Sequence, residues 1–225
     1  MKKILTLLAL TLSFSINAQM DDNSSNTSAT GASSVAMGSG TTASGDSATA
    51  MGISTTASGP ISTAIGNQTE ASNQSSLAGG EFSIASGFTS LAIGSNVTAS
   101  GEISVAMGQT TIASGYGSTA IGYGTTASGD RATAMGISTI AFGPISTAIG
   151  NQTQANGQSS LAGGEFSIAS GHNSLAIGSY VTASGLLSTA FGQNTTASGD
   201  SSTAMGRNSI ASGFASSTLG QDTEA

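Results

Sequence analysis

From Gly31 to Gly220 every seventh residue is glycine, save Asn73, and from Ala36 to Ala225 every seventh is alanine, save Thr218. A register this strict leaves no room for an insertion. The chain is therefore an array of identical short coils, and its function belongs on a repeated surface and not in a pocket.

The full unit is fourteen residues, because its two halves differ. Residues 31–44 read GASSVAMGSGTTAS, residues 45–58 read GDSATAMGISTTAS, and the fourteenth copy begins at Gly213. In the first half, Ser34-Val35-Ala36-Met37-Gly38 recurs as Ser62-Thr63-Ala64-Ile65-Gly66 and Ser90-Leu91-Ala92-Ile93-Gly94. Small and larger residues alternate there, as they do in Thr41-Thr42-Ala43-Ser44, which is the period of a strand. Each half ends at or near a glycine, where a bend is expected to use its free backbone angles. Two strands and two bends make one coil. Stacked at about 4.8 Å, fourteen coils make a rod of about 67 Å.

The expected fold is thus all-β, a parallel β-roll solenoid. So narrow a coil holds little, and the alanines fill it; a larger side chain would force it open. The inverse arrangement, with the alanines outside and the larger residues within, is the competing reading. The Gly and Ser load argues against helix. Collagen needs glycine at every third residue, the calcium-binding roll needs regular aspartates, and low-complexity disorder keeps no such period. Residues 45–100 return almost verbatim as 129–184, a shift of six coils that indicates a duplicated block.

With alanine inside, its strand neighbours point out. The candidate self-association face comprises Val35, Met37, Ile65, Leu91, Ile93, Val105, Met107, Ile121, Met135, Ile149, Leu175, Ile177 and Met205. The Met37 column is interrupted by Gly79 and Gly163, and Phe82 and Phe166 are expected to fill those gaps. A continuous apolar stripe exceeds what a soluble monomer exposes, and copies of the same stripe under closed symmetry cover it best. The second strand points Thr42, Thr56 and Thr98 outward, with Ile84 and Ile112 in the same column and Ser44 and Ser58 in the next. This hydroxyl-rich side is the expected working surface.

Met1-Lys2-Lys3 and the apolar run that follows read as a secretory signal, residues 1–18, with cleavage after Ala18. Residues 19–30 form an expected flexible lead-in, and 31–225 the repeats. Beyond the signal, two arginines face eleven acidic residues, a formal charge of −9, which makes nucleic acid and anionic membranes poor partners. There is no cysteine, so stability must come from stacking and oligomerisation.

The Ser-Val-Ala-Met-Gly and Ser-Leu-Ala-Ile-Gly motifs at 34–38, 90–94, 104–108 and 174–178, set in a fourteen-residue period, resemble the head repeat of trimeric autotransporter adhesins of the YadA type. The resemblance spans residues 31–225. It implies a left-handed roll, a homotrimer joined through the strands that carry the motif, and a place at the cell surface, on the outer membrane, or outside the cell. It implies as ligand an extracellular protein or another cell. The family's motif often begins with Asn, where this chain has Ser33, Ile61, Thr89 and Ile103. Neck, stalk and anchoring barrel are not recognised in the sequence, so an anchor supplied from elsewhere is expected.

No enzymatic chemistry is expected. The single histidine, His172, has no other His and no Cys to join it as a ligand. Asp46, Asp130 and Asp200 share one bend position but stand many coils apart, and read as turn residues. Gly79-Gly80 and Gly163-Gly164 precede no lysine and no helix, so they are not phosphate loops. No cofactor and no metal are expected. An adhesin head holding surfaces by many weak contacts is the leading reading. The alternatives are an ice-binding solenoid, whose threonine columns Glu70, Ile84, Gln154 and Glu224 interrupt, and a spacer segment of a surface fibre.

Overall fold

The computed structural model describes residues 20–21 and 26–225. The expected signal, 1–18, lies outside the described residues. Among these the chain is a parallel β-solenoid of about fourteen coils without a helix.

Each coil contributes a five-residue strand, such as Val105–Gln109, and a two-residue strand, such as Ile112–Ala113. The long strands stack in sequence order into a 15-stranded sheet, and the short ones into a 14-stranded sheet. Every pairing is parallel, and from Ser28 onward each is offset by one repeat: Leu91 lies beside Val105, Ala92 beside Ala106 and Ile93 beside Met107. Like therefore stacks on like, and the sequence columns become physical columns. Both sheets begin within the span expected as a lead-in. Met20–Asp21 pairs with Val35 and Ala36, and Ser28–Ala29 with Thr42 and Ala43.

The alanines of both sheets are fully buried, from Ala36 and Ala43 to Ala204 and Ala211. This decides between the two arrangements, with the alanines inside and the larger apolar residues outside. Two further columns point inward, Ser34 with its successors and Thr41 with its successors. Some of these hydroxyls are satisfied, as where Ser34 Oγ donates to the Gly31 carbonyl at 2.8 Å and Ser90 Oγ to that of Gly87 at 2.7 Å. Those of Thr55, Thr111 and Thr125 have no partner. Val97 and Val181 occupy the same column, so the coil needs the shape there more than the hydroxyl.

The expectation that glycine makes the bends is corrected by the structure. The left-handed residues at the bends are mostly not glycine: Ser47, Ile61, Phe82 and Arg131 have φ of 56°, 58°, 52° and 56°. Their N–H groups reach the preceding coil, Ile61 N to the Asp46 carbonyl at 2.7 Å and Phe82 N to that of Asn67 at 3.0 Å. These bonds offset the steric cost of φ > 0. The seven-residue glycine period has another cause. A Cβ on Gly45 would lie 2.0 Å from the Gly59 carbonyl oxygen, and one on Gly66, where φ is +137°, would lie 1.9 Å from that of Gly80. Stacked coils approach too closely for any side chain at these places. At the exception, Asn73, the ladder is locally rewired. Gly59 and Gly157 donate N–H to Ala71 and Ala169 at 3.3 Å. Asn73 N instead donates to Ser76 Oγ, also at 3.3 Å, and its Nδ2 to the Ser86 carbonyl at 3.2 Å.

Candidate functional site

The rod offers two outward faces and two bend edges. On the long strands, alternate residues point out, as Val105, Met107 and Gln109 do in one coil. All thirteen candidate interface residues lie on these strands with their side chains outside the core. Met37, Ile65, Ile93, Met135 and Ile149 are exposed. Val35, Leu91, Val105, Met107, Ile121, Leu175, Ile177 and Met205 are half-buried by their neighbours along the column. One face of one sheet thus gathers them into a stripe running the length of the rod. Phe82 does not fill the gap at Gly79, contrary to expectation. No atom of it comes within 4 Å of where a Gly79 Cβ would stand, and the nearest side-chain atom is Ile93 Cγ1 at 3.7 Å. Phe166 stacks on Tyr180 instead, ring centroids 4.7 Å apart and planes within 15°.

With the outward positions known, the duplicated block becomes an internal comparison. Residues 45–100 and 129–184 differ at nine positions: Ser47/Arg131, Thr56/Ile140, Ser58/Phe142, Glu70/Gln154, Ser72/Asn156, Asn73/Gly157, Phe88/His172, Thr89/Asn173 and Asn96/Tyr180. None lies on a long strand. Every outward residue of that face is identical in the two copies, including Ile53 and Ile65, which are 57% and 47% exposed. Four of the nine differences fall on the outward side of the short strands or just after them, where Ser58 becomes Phe142, 65% exposed. The other five fall at the bends. Burial within the coil does not explain the contrast, since both faces are outside the core. The opposite strand reads as hydroxyl-rich, with Thr42, Thr98, Thr126, Thr182 and Thr196 half-buried and Ile84, Ile112, Ile140 and Ile210 exposed in one column.

The bends carry further polar groups. Asp46, Asp130 and Asp200 each accept, through Oδ1, the backbone N–H one coil earlier, from Ala32, Tyr116 and Leu186 at 2.9–3.1 Å. Their spacing is structural: a short acceptor at this bend satisfies the bend before it. The Arg131 guanidinium stands 6.0 Å from the centre of the Tyr116 ring, within cation–π range. His172 is exposed, with Nδ1 3.0 Å from Asn173 Nδ2. Further along the other bend edge, Asn194 donates to Asn208 at 3.0 Å and Asn208 to Asp222 at 2.8 Å. Hydrogen bonds from Asn208 and Gln221, aided by Arg207, hold the Asp222 carboxyl below the usual carboxylate range. This ladder was not legible as a unit, because its members are fourteen residues apart and the column opens with glycine, serine and glutamine.

Among the described residues no three His, Cys, Asp or Glu side chains gather as a metal site, and no helix is long and apolar enough to cross a membrane. A family model described as the YadA head domain repeat (2 copies) matches residues 25–41, 29–55, 43–69, 57–85, 85–111, 113–139, 146–167, 155–180 and 183–209. No curated protein matches the chain.

Proposed function

The chain belongs to the YadA head-repeat family, and from that premise we propose that it is the head of an exported, surface-displayed adhesin in which three copies pack through their long-strand faces. The observation that carries this reading is the identity of that face across the duplicated block, while the short-strand side and the bends have changed. A face exposed to solvent has no reason to keep Ile53 and Ile65 in both copies. A face packed against its own copies does, since each side chain meets a fixed neighbour. Three is the number general to the family. The candidate interface runs from Val35 to Met205. Residues 1–18 act as the export signal, 19–30 lead into the repeats, and an anchor outside the repeats holds the head at the outer surface.

The short-strand columns and bends then form the outer surface of the rod. They meet a protein or cell-surface ligand through many weak repeated contacts, and linkage of three copies raises avidity without a strong single site. The head does no chemistry of its own and needs no cofactor. Replacement of threonine by Ile140 and of serine by Phe142 breaks the flat hydroxyl lattice that ice binding would use.

Sedimentation equilibrium of residues 19–225 tests the assembly: three chains per particle are expected, and a monomer at all concentrations overturns it. Attachment is tested with the head displayed on a non-adherent cell. Substitutions on the short-strand face are expected to lower attachment without changing the particle mass.

A further inference from the structure

Twelve of the fourteen coils carry a large apolar residue at the centre of the long strand, and Gly79 and Gly163 are the gaps. Nothing in the coil asks for glycine there. Unlike Gly66, Gly79 has no positive φ, and a Cβ would meet only Ile93 Cγ1 at 3.7 Å and the Ile65 carbonyl oxygen at 4.0 Å. At Gly163 the nearest atoms are Ile177 Cγ1 at 3.6 Å and Leu161 Cδ2 at 3.9 Å. These are ordinary contacts, so alanine or a larger residue fits the isolated coil. Both copies nevertheless keep glycine, on the one face that has not changed. The same two coils, and no others, place phenylalanine at the bend after the long strand, Phe82 and Phe166. Phe82 is 42% exposed and leaves its own gap empty.

A gap and an unplaced ring in the same coil suit closed rotational symmetry, which sets same-numbered coils of different copies at one level. We propose that the Phe82 ring of one copy fills the gap over Gly79 of its neighbour, and Phe166 the gap over Gly163, so that two ring-and-gap pairs interlock the copies. This rests on the self-association proposed above. Phe82 directly follows the strand Leu77–Glu81, on the border of the face, and faces arranged around a common axis meet at their borders. The interlock also sets register. A face repeating every fourteen residues loses only one layer of contacts when one copy slips by a coil, so its register is weakly specified. Two ring-and-gap pairs six coils apart oppose every slip other than one of six coils. Tyr180 braces Phe166 by stacking, whereas the matching place beside Phe82 holds Asn96.

The test is a double-mutant cycle read by the concentration at which the purified protein half-dissociates. Gly79→Ile puts a side chain where the neighbour's ring sits, and Phe82→Ala leaves the gap empty. Each is expected to raise that concentration about tenfold or more. The combined Gly79→Ile/Phe82→Ala variant turns the coil into one like the other twelve, and is expected to return to about twofold of the parent. Double-variant effects that simply add overturn the interlock. Cysteine pairing gives a second readout, because the chain has no cysteine. Mixing Gly79→Cys chains with Phe82→Cys chains is expected to give a disulfide-linked product beyond that of either preparation alone. Phe82→Cys mixed with Gly163→Cys is expected to give none. A parent that is monomeric overturns both the assembly and the interlock. A trimeric parent whose cycle adds and whose cysteines do not pair overturns the interlock alone.

Discussion

The long-strand face and the short-strand face lie on opposite sides of one alanine core and come from the same fourteen-residue unit, yet they have aged differently. Between the two copies of the six-coil block, the long-strand face has changed nowhere, while the other side has exchanged threonine for isoleucine, serine for phenylalanine and glutamate for glutamine. Both are outside the core, and the long-strand face is the more apolar. The difference teaches that exposure in a single coil does not measure constraint. In the proposed assembly, residues whose neighbours are supplied by another copy are fixed as firmly as a core, whereas a solvent-facing column tolerates most side chains that keep the strand.

The comparison presumes that the core separates the faces, and its most severe test is there. Ala106→Leu adds three carbons to a fully buried site between stacked alanines, whereas Val105→Leu adds one on the outside. The first is expected to cost about 1–3 kcal/mol or more through overpacking and the second little. Equal thermal midpoints for the two would dissolve the inside–outside assignment.

Next in size is the loss of association. Ile93→Asp with Ile177→Asp places charges on a face that an isolated coil exposes but an assembly buries. An unpaired buried charge is costly, so the particle mass is expected to fall to that of one chain while the β circular dichroism persists. Retention of the full mass would show that the unchanged face is not the contact.

Exchanges that the chain has already made between its copies are expected to do little to stability. Thr56→Ile and Glu70→Gln import the residues of the second copy into the first, and each is expected to shift stability by no more than about 0.5 kcal/mol. A larger loss would mean that the short-strand face is constrained too, and would blunt the contrast. The faintest effect lies on the bend edge between the faces. The Asp222 carboxyl is held below its ordinary range, so its ladder bond to Asn208 stabilises the folded chain above the unfolded-state pKa. That contribution is lost as pH falls through the lowered folded value. Asn208→Ala is expected to reduce that acid-limb difference, with Gln221 and Arg207 keeping the rest, read by melting the C-terminal coils between about pH 2 and 5.

Much of this was legible in the residues. Alternation around Ala36 and Ala43 could place one parity inside and the other out, and alanine is the size that a narrow coil admits. The apolar column with its gaps at Gly79 and Gly163 could be written down before any coordinates. That Phe82 leaves the gap at Gly79 empty could not, because nearness in sequence does not say where a ring at a bend points. Asp46, Asp130 and Asp200 looked like separate turn residues, since their partners are backbone groups one coil away.

What the sequence determined by itself is the period, the two strands of each coil and the separation of alanine from the larger residues onto opposite sides, because each is a local alternation along the chain; that alanine is the inner side was decided by the structure. What the tertiary structure alone decided is why the period is written in glycine. Gly45 and Gly66 are fixed by the carbonyls of Gly59 and Gly80, fourteen residues on and about 2 Å from where a Cβ would stand. The bends themselves are made by residues such as Ile61 and Phe82, held by N–H bonds to the coil before. Distances between coils exist only once the coils are stacked, and the stacking distance, set by the β ladder, leaves no room for a side chain at those two columns save at Asn73, where the ladder is rewired.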